Sequence, residues 1–304
     1  MCLDFYGQCE VGEMRNFMKK AALWMISLLA AGVIVWICAD GFSLFASKKA
    51  PEIVLLGDSI VGTPVDGVDF AECLEQAVGM TVQNGGFGGT CASYDIEHAY
   101  PADVSGQLSL AQISRAIAAG DFSVQLAQTA YGERYFDVFG QALEYFPGRV
   151  EELEQVDFKG VKYLVIEHGT NDYNKGVLVD NATDQYDETT FAGALRTSIE
   201  RLQKAYPDLQ ILLMTPTWCC IIKDTASYPC DETDWGGGYL EVYAEAELLV
   251  AKEYDLPILD NYHESGIGRD TMAQFLHDGI HLSLSGQQLL AKKLADFILE
   301  LEKE

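Results

Sequence analysis

Positive charge is scarce in this chain, which has 304 residues, 20 Lys and Arg, 46 Asp and Glu, and a formal net charge of −26. A protein that binds nucleic acid needs a clustered positive surface to meet the phosphates, so this balance argues against nucleic-acid partners. Strongly anionic polymers are disfavoured as substrates for the same reason. Neutral or cationic partners fit the composition better.

Cysteine is too sparse to hold the fold together. Eight cysteines in 304 residues cannot form a disulfide scaffold, no Cys-x-x-Cys pair occurs, and the adjacent Cys219 and Cys220 do not have a zinc-ligand spacing. A bridge from Cys219 or Cys220 to Cys230 is one alternative, and free buried thiols are the other. The apolar fraction of 49% supports a sizeable core, and the length allows one large domain or two small ones.

Several signatures of catalysis and binding are also missing. No Gly-x-Ser-x-Gly occurs, which argues against the nucleophile elbow of the α/β-hydrolases. The glycine run Asn84-Gly85-Gly86-Phe87-Gly88-Gly89 does not follow the Gly-x-Gly-x-x-Gly pattern of dinucleotide binding. The four acidic residues between positions 180 and 188 lack the ligand spacing of a calcium-binding EF-hand loop.

One long apolar run lies near the N-terminus. From Ala21 to Ala39 nineteen consecutive residues carry no charge, and a helix of that length nearly matches a hydrocarbon core of about 30 Å. Arg15, Lys19 and Lys20 precede the run, so the positive-inside rule places the N-terminus in the cytoplasm and the rest outside. The sequence therefore predicts a cytoplasmic tail (1–20), a transmembrane anchor (21–39), a linker (40–50) and an extracytoplasmic domain (51–304).

Two other interpretations of this run compete with the anchor. A cleaved signal peptide would have a shorter apolar region and a small-x-small cleavage site, whereas Ile37-Cys38-Ala39 begins with a bulky residue. A buried core helix would have a polar face, which the run lacks. We expect a single-pass protein of the cell membrane, with secretion after signal cleavage as the alternative. A true start at Met14 or Met18 leaves this expectation unchanged.

Beyond residue 50, short apolar runs alternate with helical patterns. The predicted strands are Glu52–Leu56, Thr81–Gln83, Val161–Glu167, Leu209–Met214 and Leu256–Leu259. The predicted helices between and after them are Phe70–Val78, Phe191–Tyr206, Tyr239–Tyr254 and Ser285–Leu301. This alternation predicts a parallel sheet covered on both faces by helices, with ligands at the carboxyl ends of the strands. Residues 91–159 interrupt the alternation and predict a helical insertion.

Polar blocks follow the predicted strands or precede the last helix. Ser59, in Gly57-Asp58-Ser59, follows the first strand at the edge where a nucleophile is exposed. Asn171, after the third strand, can donate an amide hydrogen bond to an oxyanion. Asp278 precedes His281 by three residues, so it can orient one ring nitrogen and leave the other to accept a serine proton. By itself each block also fits an ordinary turn.

Taken in order, these blocks resemble those of the SGNH (GDSL-type) hydrolase family. The serine block is 57–59, the glycine block 84–89, the asparagine block Gly169-Thr170-Asn171-Asp172 and the last block Asp278-Gly279-Ile280-His281. The resemblance covers the chain from about Ile53 to Leu301. It implies a flavodoxin-like three-layer α/β/α sandwich and a serine esterase that needs no metal or organic cofactor.

The resemblance also implies a function for each candidate residue. Ser59 would be the nucleophile, His281 the general base and Asp278 the residue that orients His281. The oxyanion hole would consist of the Ser59 and Gly89 backbone N–H groups and the Asn171 side chain. Outside these blocks, we expect His168 to be structural and His277 to be solvated.

The expected function is that of an outward-facing, membrane-anchored esterase that removes small acyl groups such as acetyl from carbohydrate or cell-envelope substrates. An O-acyltransferase with the same acyl-enzyme, a lipase and a thioesterase remain alternatives. A non-catalytic surface-binding module is a remote alternative, because it has no need for Ser59, Asn171, Asp278 and His281 together. The aromatic residues of the 91–159 segment either line a substrate cleft or, as we favour for most of them, form the core of the insertion.

Overall fold

The computed structural model describes residues 50–94, 104–127 and 146–303, which belong to the second of the chain's two units, Lys49–Glu304. The predicted anchor at 21–39 and the middle of the predicted insertion lie outside the described residues. Within the described ranges, no helix combines the length and the apolar character that crossing a bilayer requires. The anchor therefore stays a prediction from the sequence.

Five parallel strands form the central sheet. Their ranges are Ile53–Gly57 (β1), Val82–Gly86 (β2), Tyr163–Glu167 (β3), Gln210–Met214 (β4) and Ile258–Leu259 (β7). The order across the sheet is β2-β1-β3-β4-β7, and every adjacent pair is parallel. All five residues of β1 and of β3 are buried, as expected for a parallel sheet covered on both faces. The five predicted strands are confirmed.

Helices cover both faces of this sheet. Their ranges are Ser59–Gly62 (α1), Phe70–Val78 (α2), Val104–Gln107 (α3), Leu110–Ala119 (α4), Phe146–Glu154 (α5), Thr170–Asn174 (α6), Phe191–Ala205 (α7), Leu240–Glu253 (α8), Asn261–Glu264 (α9), Met272–Phe275 (α10) and Leu284–Leu301 (α11). α2 packs against α11, and α4 packs against α7, which also contacts α8. Right-handed crossovers place these two groups on opposite faces of the sheet. The arrangement matches the predicted three-layer α/β/α sandwich.

The described ends of the predicted insertion belong to the main core. α4 buries Leu110, Ile113 and Ile117 in the same apolar cluster as the sheet, and Phe122 is buried there as well. At the other end of the insertion, α5 contacts β2. These segments are therefore part of the connection between β2 and β3, where the sequence analysis favoured a separate small core.

Arg149 of α5 links this segment to the turn that follows β1. Its guanidinium is buried and donates hydrogen bonds to the carbonyl oxygens of Gly62 (2.5 Å) and Gly86 (2.7 Å). It also forms an ion pair with Asp69 at 2.9 Å. Two carbonyl groups at the carboxyl edge of the sheet thus obtain a donor from the segment that the sequence indicated only as an insertion.

The strand order places one crevice at the centre of the sheet. After β1 the chain moves outward to β2 and then returns to the other side of β1 to form β3, so the direction of winding changes between β1 and β3. Ligands in such folds bind beyond the carboxyl ends of the strands at this point. Ser59 lies two residues after the end of β1 and Asn171 four residues after the end of β3, so the two residues flank the crevice.

A short antiparallel hairpin lies between β4 and α8. Its strands are Cys220–Lys223 (β5) and Ala226–Pro229 (β6). The backbone N–H of Cys230 donates to the carbonyl of Cys219 at 3.0 Å, which extends the pairing beyond the two strands. Cys219, Cys220 and Cys230 are buried free thiols, so of the two alternatives left by the sequence the structure shows the thiols.

Candidate active site

Ser59 occupies the sharp turn between β1 and α1. The buried side chain of Asp58 caps α1 by accepting a hydrogen bond from the N–H of Ile60 at 2.8 Å. Gly57 is required by a close approach, because a Cβ at this position would lie 2.7 Å from the carbonyl oxygen of Glu167. The Gly-Asp-Ser sequence thus turns the chain tightly and leaves Ser59 half-buried at the edge of the sheet.

A hydrogen-bonded series links Ser59 to His281 and Asp278. The Nε2 atom of His281 lies 3.1 Å from Ser59 Oγ, and its Nδ1 atom lies 2.7 Å from Asp278 Oδ2. The other carboxylate oxygen, Asp278 Oδ1, accepts from the backbone N–H groups of Ile280 (3.0 Å) and His281 (2.8 Å). A serine, an imidazole and an oriented carboxylate in this geometry can transfer a proton from the hydroxyl to the ring.

The charges in this series favour an ionised Asp278 and a basic His281. Burial acts to raise the pKa of Asp278, but the hydrogen bonds from the His281 ring and from two backbone N–H groups hold it well below its usual range. The hydrogen bond to Asp278 raises the pKa of His281, against the opposing effect of burial, and the charges of Asp278 and Asp58 add to the increase. An imidazolium formed at His281 is therefore stabilised.

The loop that carries His281 is supported by the β5–β6 hairpin. The backbone N–H of Cys220 donates to the carbonyl of Gly279 at 2.7 Å. Gly279 has a φ of 90°, and a Cβ there would lie 2.3 Å from the carbonyl oxygen of Cys220. Only glycine suits this left-handed backbone and this close approach, which explains why glycine follows Asp278.

Asn171 lies across the crevice from Ser59 in α6. Its amide Nδ2 donates to Asp58 Oδ2 at 3.0 Å, which connects the end of β3 to the turn after β1. An amide has two N–H groups, so one can bind Asp58 while the other faces a ligand. Asp58 therefore holds the Asn171 side chain in place, a contact that the sequence did not predict.

The turn that carries Gly89 is fastened to α6 by Asp172. The buried carboxylate of Asp172 accepts hydrogen bonds from Ala92 N–H (2.9 Å), Ser93 N–H (3.1 Å) and Ser93 Oγ (2.7 Å). Gly89 itself is exposed and has a φ of 77°, a backbone conformation that favours glycine. The sequence placed Asp172 in the asparagine block without a function, and the structure shows it as an anchor between two loops.

Buried carboxyl groups lie beneath the site. Burial is the main cause that raises the pKa of Asp58 to about 6 and the pKa of both Glu167 and Glu247 well above the usual range. Among the described residues, no donor lies within hydrogen-bond distance of either carboxyl oxygen of Glu247. The charge of Asp58 and a hydrogen bond to its carboxyl also raise the pKa of Glu167. Since two ionised carboxylates cannot share a hydrogen bond, the structure favours a protonated Glu167.

The remaining histidines near the site differ in exposure. His168 is buried, and burial lowers its pKa to about 3, so its ring is neutral and structural in character. The His277 side chain is 57% exposed, in keeping with the expected solvated residue, but its Nε2 lies 3.7 Å from Asp278 Oδ2. The sequence analysis did not place His277 beside the candidate triad, although its position directly before Asp278 was a usable signal.

A cavity of about 310 Å³ opens beside Ser59 and His281. Its wall combines apolar side chains with a few polar ones, including Ile60, Thr63, Pro64, Val65, Leu282 and Gln287. The Gln287 amide donates to the carbonyl of Thr63 at 3.1 Å and so joins α11 to the turn after α1. The cavity places a small, partly apolar space directly next to the Ser59 hydroxyl.

Comparisons with known proteins found a matching family profile and solved structures of similar fold. A family profile described as the GDSL-like Lipase/Acylhydrolase family matches residues 55–289. No curated protein sequence matches the chain. A solved structure of a protein from Lactobacillus plantarum is similar at 19% identity and a TM-score of 0.53, over 84% of this chain and 98% of that one. A possible lipase from Chitinophaga pinensis is similar at 17% identity and a TM-score of 0.52, over 84% of this chain and 100% of that one.

Proposed function

Because the chain belongs to the GDSL-like lipase/acylhydrolase family and is an ester hydrolase, we propose that it removes small acyl groups, such as acetyl, from neutral carbohydrate or cell-envelope substrates. The observation that carries the mechanism is the series of hydrogen bonds from Ser59 through His281 to Asp278. The same three residues were the predicted catalytic set. Their functions in the steps below are part of the proposal.

Acylation begins at the Ser59 hydroxyl. His281 Nε2 accepts the hydroxyl proton while Ser59 Oγ attacks the ester carbonyl carbon. The ionised Asp278 keeps the other ring proton on Nδ1, so that Nε2 carries the lone pair, and it stabilises the imidazolium that forms. His281 then gives its proton to the leaving alcohol, and Ser59 remains as an acyl ester.

The negative charge on the substrate oxygen is held by three donors. We assign these to the Ser59 backbone N–H, the Gly89 backbone N–H and the Asn171 amide. The hydrogen bond from Asn171 to Asp58 and the anchoring of the Gly89 turn through Asp172 support this assignment, because both fix a donor before substrate arrives. Donors that need no rearrangement stabilise a developing oxyanion most strongly.

Deacylation repeats the same proton movements with water. His281 Nε2 takes a proton from a water molecule, the hydroxide attacks the acyl carbon, and the proton then returns to Ser59 Oγ as the acid leaves. If a sugar hydroxyl replaces this water, the product is a new ester and the enzyme acts as an acyltransferase.

The size of the cavity and the net charge of the chain favour a small neutral acyl substrate. The cavity of about 310 Å³ lies at the lower end of the usual range for ligand pockets, about 300–1,000 Å³. Such a space fits a short acyl group better than a long fatty chain. The net charge of −26 disfavours substrates that are polyanions.

The proposed location is the outer face of the cell membrane. The support for it is the charge-free run Ala21–Ala39 with Arg15, Lys19 and Lys20 before it. Full-length protein should fractionate with membranes and lose its catalytic domain when intact cells are treated with protease. Mature protein in the medium that begins near Asp40 would instead indicate a cleaved signal peptide.

An acyl-chain series tests the proposed reaction. The purified full-length protein is assayed on chromogenic acetyl, butyryl, octanoyl and palmitoyl esters and on acetylated oligosaccharides, with Ser59→Ala as the matched control. We expect kcat/KM to be highest for acetyl and to fall with chain length, and Ser59→Ala to be at background. A preference for palmitoyl would indicate a lipase. Ester formation on an added sugar that exceeds acid release would indicate an acyltransferase.

A further inference from the structure

Three side chains of types that bind metals meet at the mouth of the active site. His277, Asp278 and His281 each offer one ligand atom, and these atoms lie within 4.8 Å of one another. Their side chains are 57%, 43% and 34% exposed, so an ion can reach them from solvent. Within the described residues this is the group in which two imidazoles and a carboxylate converge.

The hydrogen bonds around this group bring the ligand atoms of the two imidazoles to the same carboxylate oxygen. His277 Nδ1 lies 3.4 Å from the carbonyl oxygen of His281, and a proton on Nδ1 leaves the Nε2 lone pair on the side of Asp278. Asp278 Oδ1 is occupied by two backbone N–H groups, and Oδ2 is the oxygen that faces both rings. A histidine that donates its second ring N–H to a carbonyl is the usual arrangement of a metal ligand.

We propose that His277, Asp278 and His281 form a binding site for a transition-metal ion, best suited to Zn²⁺, and that the bound ion reversibly inhibits the esterase. Two imidazoles and one carboxylate suit Zn²⁺, Cu²⁺ and Ni²⁺, whereas Mg²⁺ and Ca²⁺ prefer sites built from oxygen ligands. The inhibition rests on the proposed function, because it acts through His281. The binding of the ion does not.

Inhibition follows from the position of the ring proton. An ion on His281 Nδ1 takes the lone pair of that nitrogen, and the one proton of the neutral ring must then reside on Nε2. Nε2 then donates to Ser59 Oγ and cannot accept its proton, so acylation stops. Asp278, bound to the ion through Oδ2, no longer orients the ring. The Nδ1 proton passes to solvent as the ion binds, and Nε2 takes up one proton from solvent in its place. Removal of the ion reverses both transfers and restores the original tautomer.

His263 provides an internal comparison. It has the same spacing to a carboxylate, with Nδ1 2.8 Å from Asp260 Oδ2, but its Nε2 faces the carboxylate of Glu241 at 3.5 Å. The two carboxylates therefore lie on opposite sides of the ring, and one ion cannot bind both through a single nitrogen. His263→Gln thus removes an exposed histidine without changing the proposed site.

Calorimetric titration with ZnCl₂ tests the site directly. The full-length wild type, His277→Gln and His263→Gln are titrated in a chelator-free buffer, and the esterase activity of each is followed over the same zinc range relative to its own zinc-free rate. We expect the wild type and His263→Gln each to bind one zinc ion at the proposed site with the same affinity. His277→Gln should bind zinc at least about tenfold more weakly, as for the loss of a residue that supports a metal site.

The activity measurements should follow the binding. The zinc concentration that halves the activity should match the Kd in wild type and rise at least about tenfold in His277→Gln. EDTA should restore the rate, and Mg²⁺ or Ca²⁺ at the same concentration should leave it unchanged. His277 is exposed, so an unchanged thermal unfolding curve of His277→Gln establishes that this variant folds.

The possible failures are distinguishable. Absence of saturable zinc binding, or equal affinity in wild type and His277→Gln, overturns the site whatever the activity. Zinc binding without inhibition, or with activation, overturns the inhibitory function. A zinc-free wild type that hydrolyses no ester overturns the proposed function, while the calorimetry still decides whether the metal site exists.

Discussion

Replacing the buried Glu167 by glutamine should stabilise the protein at neutral and alkaline pH but not near pH 4. Burial and the neighbouring carboxyl of Asp58 raise the pKa of Glu167 in the folded protein, whereas in the unfolded chain a glutamate titrates at about 4.3. Above that pH the unfolded state binds fewer protons than the folded state, so the free energy of unfolding of the wild type falls as the pH rises. Glutamine has no such titration, and its amide can donate to Asp58.

The size of this effect follows from the linkage relation. One proton of difference changes the free energy of unfolding by about 1.4 kcal/mol per pH unit between the unfolded and the folded pKa. For a domain of this size about 1 kcal/mol corresponds to about 2–4 °C in Tm. Within this pH window, the Tm difference between Glu167→Gln and the wild type should therefore widen by roughly 3–6 °C for each unit of pH increase. The effects of Asp58 and Glu247 are common to both proteins and largely cancel in the difference.

Thermal unfolding by circular dichroism at pH 4.5, 5.5, 6.5 and 7.5 measures this difference. Glu151→Gln makes the same chemical change at an exposed position of α5, so it reports what the substitution does without burial. A Tm difference between Glu167→Gln and wild type that is the same at every pH would refute the reasoning. It would mean that Glu167 binds its proton equally in the folded and unfolded states.

Three further predictions concern the candidate site. Asn171→Ala should lower kcat by about 10²–10³ and change KM little, because an oxyanion donor acts mainly in the transition state; steady-state kinetics showing an unchanged kcat would remove Asn171 from the mechanism. Asp278→Asn should lower kcat by about 10⁴ and move the acid limb of the pH–rate profile to lower pH, because the hydrogen bond that raises the pKa of His281 is lost; an unmoved limb contradicts this. Asp172→Ala should lower the stability by roughly 1–3 kcal/mol for each buried donor left unpaired, measured by urea unfolding, and an unchanged unfolding midpoint would show that this anchor is dispensable.

Much of the fold was predictable because parallel strands have a strong local signal. Strands that are buried along their whole length, such as Ile53–Gly57 and Tyr163–Glu167, consist almost entirely of apolar residues. Their composition therefore indicates both strands in the sequence. Once the strands are placed, polar residues within a few positions after their carboxyl ends must lie at one edge of the sheet. Ser59 and Asn171 could therefore be selected from the sequence, and the structure places both at that edge.

The parts that escaped prediction depend on long-range contacts. Asn171 binds Asp58 across 113 positions of sequence, and nothing near either residue indicates the other. Glu167 reads as the last residue of a strand, and its raised pKa arises only when the helices bury it. His277 reads as solvated, and its approach to Asp278 occurs in a folded turn where the His277 backbone N–H donates to the carbonyl of His281.

The active site rests on two supports, the central sheet and the β5–β6 hairpin. Ser59 is carried by the end of a central strand, whereas the loop of His281 rests on the hairpin through the Cys220–Gly279 hydrogen bond. The 3.1 Å separation of Ser59 Oγ and His281 Nε2 therefore depends on two different parts of the molecule. A substitution that shifts the hairpin is therefore expected to move His281 relative to Ser59 without moving the end of β1. During divergence, the hairpin is thus a place where the distance between Ser59 and His281 can change although both residues are retained.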